Sequence, residues 1–160
     1  MTIIADTSPL HYAVLIGIPE AIFALYGRIV IPGAVHVELT GAGSPQDLRE
    51  WLEHNLQRIE VRQVTVPDDP HLQALDAGEA QAIELAQQTP DSLLLIDEKD
   101  GRAEARRRGI RITGLLGVIR DAARSGYLDF ESTLEQLKRT DFRLSAEVEA
   151  IVRVQYRTAM

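Results

Sequence analysis

The sequence holds four carboxylates whose positions suit a shared site: Asp6, Glu38, Glu79 and Asp97. Asp6 and Asp97 each come directly after an apolar segment that predicts a buried strand, and ligands of open parallel sheets bind beyond the carboxyl ends of the strands. Glu38 lies about one to two helical turns past another predicted strand, and Glu79 begins the helix that precedes the strand before Asp97. We therefore expect the four side chains to meet at one rim of a sheet.

Carboxylates that crowd together repel one another, so at neutral pH they require either protons or a multivalent cation. Mg²⁺ and Mn²⁺ prefer oxygen ligands, and Mg²⁺ typically takes one or two carboxylates directly while other acids position its waters. Such a site suits the hydrolysis of a phosphodiester.

A basic cluster follows Asp97 in the sequence. Arg102 and Arg106 are four residues apart, so they share one face of a predicted helix and could hold a phosphate backbone near the acids. The other members of this cluster are Arg107, Arg108 and Arg111.

The composition excludes several other kinds of site. The chain has no cysteine, which removes disulfides, thiolate catalysis, Fe–S clusters and cysteine-based zinc sites. Its four histidines have no HxxxH or HExxH spacing, which argues against a zinc protease. Any metal must therefore bind oxygen or histidine, and the carboxylates are the main candidates.

Length and charge set further bounds. At 160 residues the chain has the size of one domain, and we expect a single domain over 1–160. The net charge of −7 argues against binding of nucleic acid or membrane through overall charge. A local basic surface could still bind either of them. The sequence has neither an apolar run of membrane-spanning length nor a signal peptide, so we expect a cytoplasmic protein with no membrane partner.

Strands and helices are predicted to alternate along the chain, which indicates an α/β fold. Apolar segments predict strands at 2–5, 28–32, 59–66, 92–96 and 110–113. Proline, glycine and the predicted caps Ser8 and Ser44 delimit helices at 8–16, 19–26, 33–40, 45–55, 72–88, 101–108 and 115–124. The helix at 72–88 is interrupted near Gly78, and two more helices lie over 130–160 with Ser145 as a cap between them. This pattern predicts a mainly parallel sheet of four to five strands with helices on both faces.

Each acid also has an ordinary structural explanation. Asp6 could shape a turn or cap the first helix, and Glu38 could be a solvated side chain on a helix. Glu79 could complement a helix dipole, and Asp97 could belong to a polar loop. The basic helix could likewise be a solvated surface.

Several short motifs occur in an order that is typical of a known family. They are IADTSPL at 4–10, Ile31-Pro32 with Val35 and Glu38, GEAQAIELA at 78–86, LIDE at 95–98, Gly101-Arg102, Ala105, Gly109-Ile110 and TGLLGVI at 113–119. With these residues the chain resembles the PIN-domain nucleases, and specifically their VapC-like ribonuclease toxins. The resemblance extends from Ile3 to about Val152.

The resemblance implies a three-layer α/β/α fold, a Mg²⁺- or Mn²⁺-dependent ribonuclease site, and frequently a toxin that is paired with a small antitoxin. It implies that Asp6, Glu38, Glu79 and Asp97 bind the metal and act in catalysis. The substrate is then RNA, and Thr7 or Ser8 would assist at the end of the first strand.

The sequence departs from the family pattern at Glu79, where many PIN nucleases have the shorter Asp. Glu98 and Asp100 are further candidates for the fourth acid, since this subgroup often carries paired acids there. The resemblance also favours a homodimer, and the helices over 130–160 could form part of a dimer or antitoxin surface. Apolar residues of the early helices could belong either to the core or to the dimer surface: Ile18, Ile22, Phe23, Leu25 and Tyr26.

Three functions remain to be separated. The first is a metal-dependent endoribonuclease, and the second is a non-catalytic PIN-like module that binds a protein or RNA. The third is an aspartyl phosphatase or phosphoreceiver, which also has an Asp after its first strand. The phosphatase pattern needs a second Asp two residues later, where this chain has Ser8, and a receiver needs an acidic pair where only Asp6 is present.

Overall fold

Five short strands, ten α-helices and a 3₁₀ helix (Leu56–Arg58) occur along residues 1–158, which are the residues that the computed structural model describes. The strands are β1 (Thr2–Ala5), β2 (Ile29–Pro32), β3 (Ile59–Arg62), β4 (Ser92–Leu95) and β5 (Ile112–Thr113). The helices are α1 (Thr7–Leu15), α2 (Pro19–Tyr26), α3 (Gly33–Thr40), α4 (Gln46–His54), α5 (Pro70–Gln73), α6 (Ala77–Gln88), α7 (Lys99–Arg107), α8 (Leu115–Arg124), α9 (Phe130–Lys138) and α10 (Ala146–Thr158).

The strands form one parallel sheet in the order β3-β2-β1-β4-β5. Ile3 of β1 lies between Ile29 of β2 and Leu93 of β4. The direction in which strands are added reverses between β1 and β4, and open sheets form a ligand-binding crevice beyond the carboxyl ends of the strands at such a point. A functional site is therefore expected where β1 and β4 end.

The strand residues alternate between two buried layers. Ile3 and Ala5 pack into the layer covered by α1, α2, α8 and α9, whereas Ile4 packs into the layer covered by α6 and α7. Burial on both faces is typical of parallel sheets. The structure confirms the predicted α/β fold, with helices on both faces of a central parallel sheet.

The apolar residues of the early helices belong to the core. Ile22 and Phe23 are buried in the layer that covers one face of the sheet. Ile18, Leu25 and Tyr26 pack against the same layer and are partly buried.

Two strands are shorter than the sequence predicts. Beyond β3 the side chains of Val64 and Val66 pack against the layer under α6 instead of extending the sheet. Before β5, the Ile110 N–H donates to the Ala105 carbonyl at 3.0 Å, which closes the carboxyl end of α7. That amide is therefore used by the helix and not by the sheet.

The helix predicted over 72–88 is divided into α5 and α6. The Asp76 Oδ1 accepts a hydrogen bond of 2.8 Å from the Glu79 N–H, which caps a new helix at this point. The interruption near Gly78 that the sequence indicates is thus the beginning of α6.

Two serines expected to cap helices do not do so. Ser8 lies inside the first turn of α1, which begins at Thr7, and α4 begins at Gln46 with no side-chain cap from Ser44. The predicted cap at Ser145 is confirmed, because its Oγ accepts from the Val148 N–H at 3.1 Å.

The two C-terminal helices form as α9 and α10. The predicted continuation of the last helix over 159–160 lies outside the described residues. Within residues 1–158, no helix combines the length and the apolar character that crossing a membrane requires.

Candidate active site

Asp6 stands at the centre of the sheet's carboxyl edge. Its N–H donates to the Leu95 carbonyl of β4 at 3.0 Å, so the backbone pairing of the two central strands fixes its position. Only 4% of the residue is exposed. Asp6 occupies the position before α1, but its side chain makes no capping hydrogen bond. Its carboxylate is therefore available for another role.

Three carboxylates converge on the backbone of Gly78, in the first turn of α6. A Cβ placed on this glycine would lie 2.8 Å from Glu38 Oε1, 3.2 Å from Asp6 Oδ1 and 3.5 Å from Asp76 Oδ1. Real Cβ atoms do not approach other atoms as closely as 2.8 Å, so glycine is what allows α6 to come so near. Side chains from β1, α3 and the start of α6 thus surround one small space.

Glu79 adds a fourth carboxylate, which is buried between α6 and α7. Only 6% of the residue is exposed, and its Cδ lies 3.5 Å from the place of a Cβ on Gly101. Burial, and after it the negative charges of Asp76, Glu98 and Asp100, raise the pKa of Glu79 to about 7, against a lowering effect of the Asp76 backbone N–H. Asp6, Glu38, Asp76 and Glu79 are called the acidic ring below.

The same physical causes act on Asp6. Burial raises the pKa of the Asp6 carboxyl, the nearby Thr7 backbone N–H lowers it, and the charges of Asp76, Glu79 and Glu38 raise it. Together these causes bring the pKa to about 7. The acidic ring therefore carries more negative charge at neutral pH than its surroundings stabilise, which favours protons or a cation.

Asp97 lies beside the ring, at the amino end of α8. The Leu115 N–H lies 3.2 and 3.3 Å from its two carboxylate oxygens, and Arg102 stands close by. Burial raises the pKa of Asp97 to about 6, while the Leu115 hydrogen bond and the Arg102 charge lower it and the Glu98 charge raises it. Asp97 is thus better stabilised as an anion than Asp6.

A cleft of about 540 Å³ opens from Asp97. Arg102 and Arg106 line it together with two arginines that the sequence did not single out, Arg120 and Arg143. The Arg102 Nη1 donates to the Ile96 carbonyl at 2.8 Å, which fixes its guanidinium at the mouth of the cleft. Burial and then the charge of Arg106 lower the pKa of Arg102, so this surface favours an anion.

The rest of the basic cluster points away from the cleft. Arg107 and Arg108 both bind the buried carboxylate of Glu104, and Arg108 also reaches Asp69 at 2.7 Å. Arg111 pairs with Asp91. The cluster is thus divided between ion pairs and the cleft.

The other predicted site residues surround the acids. Thr7 and Ser8 are half-buried in the first turn of α1, and the Thr7 Oγ1 is buried with no hydrogen-bond partner in the described chain. Glu98 and Asp100 are exposed, and their charges act on Glu79.

The sequence analysis missed Asp76, Arg120 and Arg143. Asp76 had a signal, because Asp76 and Glu79 form the D-x-x-E spacing of a capped helix start. Arg120 and Arg143 had none, since they reach the cleft from α8 and from the connection between α9 and α10.

The carboxylate donor set suits a hard divalent cation. Within residues 1–158, no three His, Asp or Glu side chains form a ready-made metal-binding group. The acidic ring offers only carboxylate oxygens around the space at Gly78, and Mg²⁺ usually keeps several waters between itself and such acids. The residues therefore fit a partly hydrated hard cation.

The raised pKa of Asp6 has a consequence for stability without metal. A carboxyl whose pKa rises from 3.8 to about 7 on folding binds its proton better in the folded chain, so its contribution to stability is lost as the pH rises between these values. In EDTA, we expect Asp6→Asn to raise Tm by about 2–8 °C at pH 8 and by clearly less at pH 5. Differential scanning calorimetry measures this.

The matched control is Asp68→Asn, which changes an exposed aspartate outside the acidic ring and should shift Tm equally at both pH values. An equal rise in Tm for Asp6→Asn at pH 5 and pH 8 would show that the rise does not come from the raised pKa of Asp6.

Comparisons with known proteins were made on sequence and on fold. No curated protein matches the chain. One similar solved structure is the PIN domain endonuclease Utp24, with 18% identity and a TM-score of 0.53 over 71% of this chain and 84% of that chain. Another is SSO1118, a PilT N-terminus domain protein from the hyperthermophilic archaeon Sulfolobus solfataricus P2, with 16% identity and a TM-score of 0.48 over 91% of this chain and 100% of that chain.

The family comparison extends over almost the whole sequence. A family model described as a PIN domain matches residues 2–156. PIN domains are generally nuclease domains. The chain therefore belongs to the PIN-domain family.

Proposed function

We propose that this protein is a Mg²⁺- or Mn²⁺-dependent endoribonuclease that hydrolyses RNA phosphodiesters at the acidic ring. The observation that carries the proposal is the convergence of Asp6, Glu38 and Asp76 on Gly78, because carboxylates that crowd around one point call for a cation. The pKa of Asp6, raised to about 7 by burial and by its acidic neighbours, supports it. The fold likeness to a PIN domain endonuclease supports nuclease chemistry.

The metal would be held by Asp6 and Glu38, directly or through water, with Asp76, Glu79 and Asp97 around them. A bound Mg²⁺ or Mn²⁺ supplies an activated water and neutralises charge on the phosphate. Uptake of the cation would release protons from Asp6 and Glu79, since both have a pKa near 7 without it.

The protein's own side chains would orient the substrate. Arg102, fixed by the Ile96 carbonyl, would bind the phosphate that is cleaved, and the exposed Arg106 and Arg143 would bind its neighbours along the cleft. Thr7 would donate its free hydroxyl to the same phosphate. Glu79 would hold or release a proton near neutral pH, as a group with a pKa of about 7 can.

Cleavage assays test the proposal directly. With Mn²⁺, we expect the wild type to cut single-stranded or structured RNAs from a mixed panel. EDTA should abolish cleavage, and Asp6→Asn should lower its rate at least about 100-fold, because an essential oxygen ligand is lost. Asp68→Asn is the control and should retain the wild-type rate. Full activity in Asp6→Asn, or in EDTA, would contradict the proposal.

Calorimetric titration with Mn²⁺ decides between the nuclease and a non-catalytic binding module. We expect one strong site that Asp6→Asn removes. A titration that resembles that of a generic acidic surface, together with no cleavage, would favour the module.

Gly78→Ala tests the convergence at α6. The new Cβ would displace Glu38 and Asp6, so Mn²⁺ affinity and the cleavage rate should each fall at least about 10-fold. Alanine favours helices over glycine, so Tm should stay within about 3 °C of the wild type or rise. Ala77→Ser, which adds one atom on the exposed neighbouring residue, should retain affinity and rate. Unchanged Mn²⁺ affinity in Gly78→Ala would place the metal elsewhere.

The proposal includes a biological role as a VapC-like toxin with a small antitoxin, acting in the cytoplasm as a homodimer. Exposed apolar side chains on α10, among them Val148, Ile151 and Val154, give such partners surface to bury. We expect sedimentation to show a dimer, and expression to arrest growth unless the antitoxin is expressed with it. Normal growth with active enzyme would contradict the toxin role, and a monomer would contradict the dimer.

A further inference from the structure

A second cavity, of about 500 Å³, adjoins the acidic ring. Thr7 and His11 of α1, Glu38 of α3, Leu48 of α4 and the loop between α3 and α4 line it. Glu38 follows β2 and Asp97 follows β4, and these strands flank β1 on its two sides. The cavity and the basic cleft therefore lie on opposite sides of Asp6.

Two hydroxyl groups in the lining of this cavity have no partner. Thr7 Oγ1 and Ser44 Oγ are buried, and neither has a hydrogen-bond partner within the described chain. Buried polar groups are nearly always hydrogen-bonded, so each unsatisfied one requires an explanation. The proposed phosphate contact supplies it for Thr7, and a ligand that enters the cavity and bonds to Ser44 supplies it for Ser44.

The Ser44 hydroxyl has no structural role within the described chain. The Ser44 N–H donates to the Gly41 carbonyl at 3.0 Å, so a backbone turn already fixes this loop. The sequence predicts Ser44 as a helix cap, but α4 begins at Gln46 without a side-chain cap. The backbone of Ser44 is thus held beside the cavity, while no hydrogen bond within the described chain holds its hydroxyl, which is free to turn to a ligand.

The chemistry of the lining suits a heterocycle better than a phosphate. All residues of the lining are described, and none of them is Lys or Arg. Glu38 would repel a phosphate, whereas its carboxylate accepts hydrogen bonds from amino groups. Leu48 and Pro45 offer apolar surface to a flat ring, and His11 offers an imidazole. A cavity of about 500 Å³ is within the usual range for small-molecule sites.

We propose that this cavity binds the nucleobase next to the phosphodiester that is cleaved, with Ser44 as the residue that reads its edge. The inference rests on the proposed ribonuclease function and extends it to substrate choice. Contacts to phosphate position a nucleic acid without reading its sequence, whereas contacts to base edges specify it. The basic cleft would hold the backbone, and the cavity would select the base.

Cleavage of a randomised RNA library with Mn²⁺, followed by sequencing of the ends, tests the inference. The wild type should prefer one base at a fixed position beside the cut. Ser44→Ala should reduce that preference at least about 10-fold, because the hydrogen-bonding hydroxyl is lost. Arg143→Gln should instead weaken cleavage of all sequences alike and reduce its salt dependence, with the preference unchanged. An unchanged preference in Ser44→Ala would overturn the inference and leave the ribonuclease intact.

A binding measurement without catalysis separates the two proposals. Adenosine, cytidine, guanosine and uridine carry no phosphate, and in EDTA no metal contributes. NMR titration of the wild type should show that one nucleoside binds more tightly than the other three. Ser44→Val replaces the hydroxyl with methyl groups, so this nucleoside should bind at least about 10-fold more weakly to the variant. Ser132→Val, on the exposed surface of α9, should bind like the wild type.

Selective nucleoside binding with no RNA cleavage would contradict the proposed ribonuclease function and support the proposal that the cavity binds a nucleobase. Equal binding of all four nucleosides, or undiminished binding in Ser44→Val, would overturn the base-reading role.

Discussion

The burial of a negative charge at the carboxyl end of the central strand is the constraint around which the rest of this structure is arranged. Asp6 has β strands on both sides and helices above and below, so little water reaches its carboxylate. Its neighbours Glu38, Asp76 and Glu79 increase the cost, since like charges disfavour ionisation. A folded chain accepts such an arrangement only where other contacts compensate for it, and the two apolar layers on the sheet provide them.

Gly78 has no side chain, and this leaves a defined space between the crowded carboxylates. A side chain at position 78 would occupy the point on which three carboxylates converge, and Glu38 and Asp6 would have to shift away from it. Asp76 caps α6 with a carboxylate that also faces this space, so the helix start is part of the site. Local helix chemistry and site chemistry thus depend on the same few residues.

The fold and the site differ in how far the sequence predicts them. The apolar segments before Asp6 and Asp97 predict β1 and β4, because burial on both faces leaves an unmistakable run of aliphatic residues. The ends of β3 and β5 are harder to predict, since Val64 packs elsewhere and the Ile110 amide closes α7. These choices depend on tertiary contacts that no local pattern contains.

The predicted site residues illustrate the same limit. Strand ends predict where Asp6 and Asp97 lie, whereas the basic cluster after Asp97 reads as one surface in the sequence. Buried Glu104 draws Arg107 and Arg108 into ion pairs on another side of α7, and only Arg102 and Arg106 remain at the cleft. Arg143 reaches that cleft from far along the chain, so its role emerges only from the packing of α10 on α8.

Charge is distributed in a way that reconciles a net charge of −7 with an anionic substrate. The acidic ring repels a polyanion, and the arginines of the cleft lie on one side of it only. In the proposed function, a strand would bind over the arginines and reach the acids where a cation removes the repulsion. Beyond the ring the cavity beside Ser44 has no Lys or Arg, so a strand that continued past Asp6 would meet hydrogen-bonding and apolar surface instead. Affinity for the backbone and selectivity for a base would then vary independently, because different residues on opposite sides of Asp6 would supply them.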